Sequence, residues 1–403
     1  KADTTWMLVA TALVMLMTPT LAFFYGGLVR KKNVLSILMQ CIIILAVISL
    51  TWILFGYSLA FGKSQGGLIG SLEYAFLNNV GIAPKTGMTI PHQLFMMFQM
   101  MFAAITPALI IGAFAERIKF SGFLVFSILW SIIIYSPMAH WIWGGGWLQG
   151  HGDLDFAGGT VIHITAGVSA LVFSIMLGKR AGISTSRSPH NLPFAVLGAG
   201  FLWFGWFGFN AGSQLAVDGV TISAFLNTNT AAAAGAVTWM LADWIKHKVP
   251  TVLGVITGII AGLVGVTPAA GFVTPMAAIV IGIAASIVGF FFVTVVKEKF
   301  GYDDSLDVFG VHGMCGIVGA LLTGVFATKG INSAGANGLL YGNPKQLAIQ
   351  ALGVVVAIVF SAIGTFILFK LIDKTIGLRV SKKEENIGLD LTQHQEAGYT
   401  LVD

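Results

Sequence analysis

The chain has 403 residues, 56% of them hydrophobic and only 10% charged. Soluble domains usually carry about 25% charged residues, so this composition excludes a water-soluble enzyme or binding domain. A net charge of +5 does not point to nucleic acid, because the basic residues form no stripe and fall between apolar segments.

A membrane-spanning helix needs about 20 mainly apolar residues. In chain order, eleven segments satisfy this, near 4–29, 33–62, 90–115, 121–141, 157–178, 193–213, 220–245, 250–272, 274–296, 305–328 and 347–372. The first begins too early and runs too long for a conventional signal peptide; a leader removed ahead of Lys1 stays open. Cys41 and Cys315 lie inside apolar runs, with no Cys-x-x-Cys metal signature and no disulfide framework. Gly254, Gly258 and Gly262 form a small-residue ridge suited to close helix packing.

Lys and Arg set the expected orientation. With the N-terminus outside, every inside loop is basic, through Arg30, Arg117, Arg180, Arg187, Lys246 and Lys297 among others. Only Lys1, Lys63, Lys85, Lys329 and Lys345 fall outside. The positive-inside rule therefore predicts an all-α membrane protein with its N-terminus out and C-terminus in. Residues 1–372 form the transmembrane domain and 373–403 a cytoplasmic tail.

A repeat is the most informative pattern. Asp155 precedes His163 by eight residues in DFAGGTVIH, and Asp304 precedes His312 by eight in DSLDVFGVH. Glycine follows each histidine four residues on, at Gly167 and Gly316. The two segments are spans five and ten, which run in opposite directions. This predicts a 5+5 inverted-topology repeat, about 4–178 and 193–328, with an extra helix at 347–372. Eight helical residues rise about 12 Å, so each histidine should lie near the midplane and the two can meet there.

Ionisable residues within a membrane are functional candidates; a lone buried histidine can equally be a packing residue with its hydrogen bonds met. A neutral imidazole has one donor and one acceptor nitrogen, so a pair can bond to each other and still offer nitrogens to a small polar solute. Asp155 and Asp304 stand where a carboxylate caps free helix N–H groups; Asp155 can also bias its vestibule toward cations. Asp243 is expected to snorkel or to pair with Lys246 or Lys248. Trp141 and Trp147 read as interfacial anchors. Aromatic faces can hold a cation, and Phe98, Phe102, Trp143, Trp203, Trp206, Phe209 and Ser213 supply rings and a hydroxyl for that.

The segments FYGGLVRKKN (24–33), MFQMMFA (97–103), GAFAERIKFS (112–121), HWIWGGGW (140–147), DFAGGTVIH (155–163), WFGFNAGS (206–213) and DVFGVHGMCGIVG (307–319) closely resemble the Amt/Mep/Rh ammonium transporter family, specifically its bacterial and archaeal Amt branch. The resemblance covers essentially the whole chain. It implies an outer ammonium recruitment site at Phe98, Phe102, Trp143 and Ser213, a gate at Phe102 and Phe209, and twin pore histidines at His163 and His312. Trp206 and Thr267 would line the pore beside them, and Asp155 would serve structurally. It further implies a homotrimer with one pore per protomer in the cell membrane, and a PII-type signal protein at the cytoplasmic face. The tail departs from the Amt pattern at Gln393, Gln395 and Gly398.

Elementary energetics suit such a pore. A bare cation in an apolar medium costs tens of kcal/mol. Deprotonating an amine as basic as lysine at pH 7 costs roughly 4–5 kcal/mol. Ammonium has that route and potassium does not, so the expected path is ammonium at the aromatic entrance and ammonia past the histidines. Sequence leaves open whether the proton stays outside or crosses over the histidine pair. Rival readings are an ammonium sensor, though no appended signalling domain is seen, and another cation carrier, though the acids stand at helix ends. Two histidines without a nucleophile or a third ligand favour neither an enzyme, a metal site nor a cofactor.

Overall fold

In segments whose side chains are this apolar, the polar backbone has to satisfy its hydrogen bonds internally, and it does so as helix. The computed structural model describes residues 1–182 and 189–399; Arg187, counted above among the inside basic residues, lies outside the described residues. The long helices are α1 Ala2–Leu28, α2 Lys31–Phe61, α3 His92–Phe114, α4 Phe120–His151, α5 Gly159–Leu177, α6 Leu192–Gly212, α7 Gly219–His247, α8 Val252–Val266, α9 Pro275–Phe300, α10 Phe309–Phe326 and α11 Pro344–Thr375. Among the described residues, nine are long and apolar enough to cross a membrane. The other two are α8, apolar but shorter, and α7, long but rich in alanine, threonine and asparagine. α8 stops well short of the expected 250–272 because Pro268 cannot donate the next helical hydrogen bond, and residues 267–273 turn instead.

α3 and α5 are buried on almost every face and form the centre. Surrounding helices expose large apolar side chains such as Leu50, Phe204, Ile287 and Ile363, which is what hydrocarbon would cover. The loop 62–91 carries a hairpin of β1 Ser64–Gln65 and β2 Ile69–Gly70. It is pinned to the C-terminal part of α4: the Trp147 amide donates to Gly67 O at 3.0 Å and Trp141 Nε1 to Leu68 O at 2.7 Å.

α5 and α10 each open with a π-helical turn, Gly159–Ile164 and Phe309–Met314, and each turn carries one of the paired histidines. Such turns cluster at functional sites. The helices cross at Gly167 and Gly313, where a side chain on Gly167 would lie 2.2 Å from the Gly313 nitrogen.

At the opposite end, loops far apart in sequence converge on buried ions. Glu116 pairs with Arg30 at 2.8 Å and Arg180 at 3.2 Å, and Arg180 also holds Asp303 at 2.9 Å. Arg117 is fully buried beside them, donating to Asp303 O and Ser305 Oγ. The tail adds α12 Lys382–Ile387 and α13 Leu389–His394 and lies against this end. Asp390 accepts the amides of Leu35 and Ser36 at the start of α2. Gln393, one of the departures noted above, accepts the Phe120 amide at 3.2 Å, and the Tyr399 hydroxyl bonds His190 Nε2 at 2.9 Å. The expectation for Asp243 is corrected: it accepts the Thr251 hydroxyl at 2.5 Å across the α7–α8 turn, while Lys246 and Lys248 donate to backbone carbonyls.

Candidate functional site

His163 and His312 are both buried and touch through their Nδ1 atoms at 3.2 Å, with ring planes 22° apart. A contact between like nitrogens needs one proton between them, so one Nδ1 donates and the other accepts. In a neutral pair the Nε2 atoms are then unlike, one bare and one protonated. His163 Nε2 has no hydrogen-bond partner among the described residues.

Around the pair the wall is apolar. Met17, Leu21, Ile105, Leu109, Ile162, Leu202 and Ile260 enclose a void of 10 Å³ with both histidines, Trp206 and Phe209. That is about the space of one water-sized molecule. Trp206 lies nearly parallel to His163 at 5.6 Å, and its Nε1 donates to Thr267 Oγ1 at 2.9 Å. The Thr267 hydroxyl passes its own proton to Leu263 O, so the indole is held without an open donor.

On one side of the void Phe209 stacks over His163 and meets Phe102 at 4.5 Å. Beyond them Phe98 packs on Phe102 at 4.8 Å and Trp143 on Phe102 at 6.2 Å. Ser213 donates its hydroxyl proton to Phe209 O at 2.8 Å, which leaves its oxygen lone pairs to accept from a cation. On the other side His312 also lines a cavity of 650 Å³. Its charged walls are Lys179, Arg180, Asp243, Lys297, Glu298, Asp303 and Asp307, a mixture suited to water.

Asp155 joins the two halves of this arrangement. Its carboxylate accepts four amides, those of Gly158, Gly159, Thr160 and Val161, at 2.7–2.9 Å, so it caps the π-turn carrying His163. Its backbone carbonyl accepts Trp143 Nε1 at 2.8 Å. Asp304 is a weaker cap: one oxygen accepts the Phe309 amide at 2.7 Å and the other is unpartnered among the described residues. Sequence reasoning missed Glu116 and Asp303, whose partners lie 64–186 residues away. It also passed over Asp153 and Lys85, although the pairing of two acids in GDLD was a visible signal for Asp153.

The model of the Ammonium Transporter Family matches residues 5–399. The chain belongs to the ammonium transporter family. An ammonium transporter of Bacillus subtilis is 53% identical over 398 residues, 98% of each chain. The crystal structure of Mep2 from Saccharomyces cerevisiae superposes with a TM-score of 0.89 at 38% identity, covering 95% of this chain and 88% of that one. A solved structure described as a sensor Amt protein gives a TM-score of 0.90 at 34% identity, covering 98% of both chains. Members of the family that differ this widely in sequence thus share the fold described above.

Proposed function

We propose that this chain transports ammonium across the plasma membrane, and that the contact between His163 and His312 inside an apolar void carries the reading. Ammonium docks among Phe98, Phe102, Trp143 and Ser213 by cation–π attraction and a hydrogen bond. It gives up its proton near the Phe102–Phe209 constriction, and ammonia passes the histidines, whose nitrogens replace lost water contacts. Trp206 and Thr267 line that path. Asp155 and Asp304 act through the helix starts and not on the substrate.

The same reading takes all eleven helices as spans, N-terminus out and C-terminus in, with two inverted repeats and α11 as the extra helix. The basic loops and the paired π-turns support it. Residues 1–372 are the transport domain and 373–403 the cytoplasmic tail; the working unit is a homotrimer, and a PII-type protein docks at the inner face.

Flux in sealed vesicles tests transport directly. Replacing both histidines by leucine should abolish ammonium-over-potassium selectivity, and unchanged selectivity would sink the proposed pore role. Current on a solid-supported membrane after an ammonium jump tests the proton's path: charge movement means that the proton crosses, and silence in active protein means that it stays behind. The sensor reading, favoured by the likeness to the sensor Amt protein, requires ammonium binding without flux in the same vesicles.

A further inference from the structure

At the end of the bundle that holds Trp143, the loop 62–91 folds Lys85 back into a ring of aromatic side chains. Its Nζ lies 5.9 Å from the ring centre of Tyr57, 5.8 Å from Phe61, 5.3 Å from Tyr74 and 5.3 Å from Phe95. All four fall within the range of cation–π attraction. The same Nζ donates to Phe61 O at 3.3 Å. No salt bridge reaches Lys85 among the described residues. Burial pulls its pKa below the usual lysine value, and Glu73 opposes this from a distance.

The rings are held by one another and do not depend on Lys85. Tyr57 and Phe61 stand four residues apart on α2, one helical turn, and stack at 5.6 Å. Phe61 meets Phe95 of α3 edge-on at 5.1 Å, and Tyr57 meets Tyr74 at 5.7 Å. The Tyr57 hydroxyl bonds His92 Nε2 at 2.5 Å. Tyr57, Phe61 and Phe95 are buried, and only Tyr74 and Lys85 reach solvent. A rigid aromatic cage with one carbonyl acceptor is the chemistry that recognises a primary ammonium group, and a primary ammonium group occupies it.

We propose that this cage is a second ammonium-recognition site, separate from the Phe98–Phe102–Trp143 group, with Lys85 as its tethered occupant that free ammonium displaces at high concentration. A short tether gives Lys85 an effective concentration of at least millimolar order, so the site opens only when free ammonium competes with that. Displacement frees the loop 78–91. The inference stands on the chemistry of the occupant and does not require that the chain transports anything.

Chemical rescue tests it. Lys85→Ala should lower the thermal midpoint of the purified protein by about 2–4 °C, and methylammonium should restore it saturably while sodium does not. Wild type shares Phe98, Phe102, Trp143 and Ser213, so the difference between the two proteins reports the cage alone. Lys85→Met, which fills the cage with an uncharged chain, and Lys85→Ala with Tyr74→Ala should both lose the rescue. A methylammonium shift in Lys85→Ala no larger than that of wild type overturns the site. In wild type, hydrogen exchange across 78–91 should speed up in ammonium chloride relative to sodium chloride; unchanged exchange up to molar salt overturns displacement. Both readouts are blind to flux, so either result can stand if the transport reading fails.

Discussion

Asp153 lies two residues ahead of Asp155 and has none of its partners. It is buried flush against Gly353, and neither carboxylate oxygen has a well-formed hydrogen bond among the described residues; the adjacent Leu154 amide donates to Gln350 at 2.8 Å and helps Asp153 only weakly. Burial first, and then the negative Asp155, hold its pKa well above the usual carboxylate range. Folding therefore takes up a proton here. The stability contributed is full below the ordinary value of 3.8 and is lost as pH rises through the folded value. Asp153→Asn should raise the thermal midpoint at pH 8, with an advantage that shrinks on acidification; a constant difference across pH would contradict this. Thr267 offers a second residue-scale test. Thr267→Val strands the buried Trp206 indole N–H, at a cost of about 1–3 kcal/mol, readable as a lower midpoint in denaturant or heat. Individual residues were also where sequence misled. The lysines three and five positions from Asp243 looked like its partners, but Thr251, brought back by the turn, reaches it first.

At the scale of elements, the acid-to-histidine spacing of eight made the two histidine helices recognisable as a related pair, because it repeats across 149 residues. The π-turns were not legible, since one extra residue in a helical turn leaves the apolar pattern almost unchanged. The crossing of α5 and α10 was half visible. Gly167 follows His163 by four residues, but its partner at the crossing is Gly313 and not the matching Gly316. Gly167→Ala should drive a methyl group into the Gly313 backbone, cost about 1–3 kcal/mol or more, and part the histidine rings. Gly219→Ala, where nothing lies within 4 Å, is the control, and equal thermal midpoints for the two variants would refute the close crossing. Lys85 escaped notice because its four rings come from three separate segments, which no local motif records.

Across the whole molecule, composition was enough to assign a mainly helical, multi-pass membrane protein, and the loop charges gave an expected orientation. The ion cluster at the tail end was not legible, because Arg30, Glu116, Arg180 and Asp303 meet only after the bundle has formed. Burial works against the Glu116 carboxylate, but Arg180 and Arg30 outweigh it and hold its pKa below the ordinary 4.5. Asp303 is held down in the same way, by Arg180 and then Arg117. The stability of this junction is complete above the ordinary carboxylate values and is lost as pH falls through the depressed ones. Glu116→Gln should lower the thermal midpoint at pH 7 and narrow its gap from wild type in acid; no loss at pH 7 would show that the cluster contributes nothing. The histidine pair carries a different whole-molecule consequence. Two π-helical turns supply the rings in matching backbone settings, yet a single proton between like nitrogens cannot be divided equally. The two rings therefore differ in which nitrogen carries the proton although their backbone settings match, and they should be spectroscopically distinct. In nitrogen-15 spectra of labelled imidazoles, the signals of His163 and His312, told from those of the other six histidines by substitution, should comprise two protonated and two bare nitrogens. Each ring should contribute one of each, merging to an average only if the proton hops faster than the shift separation.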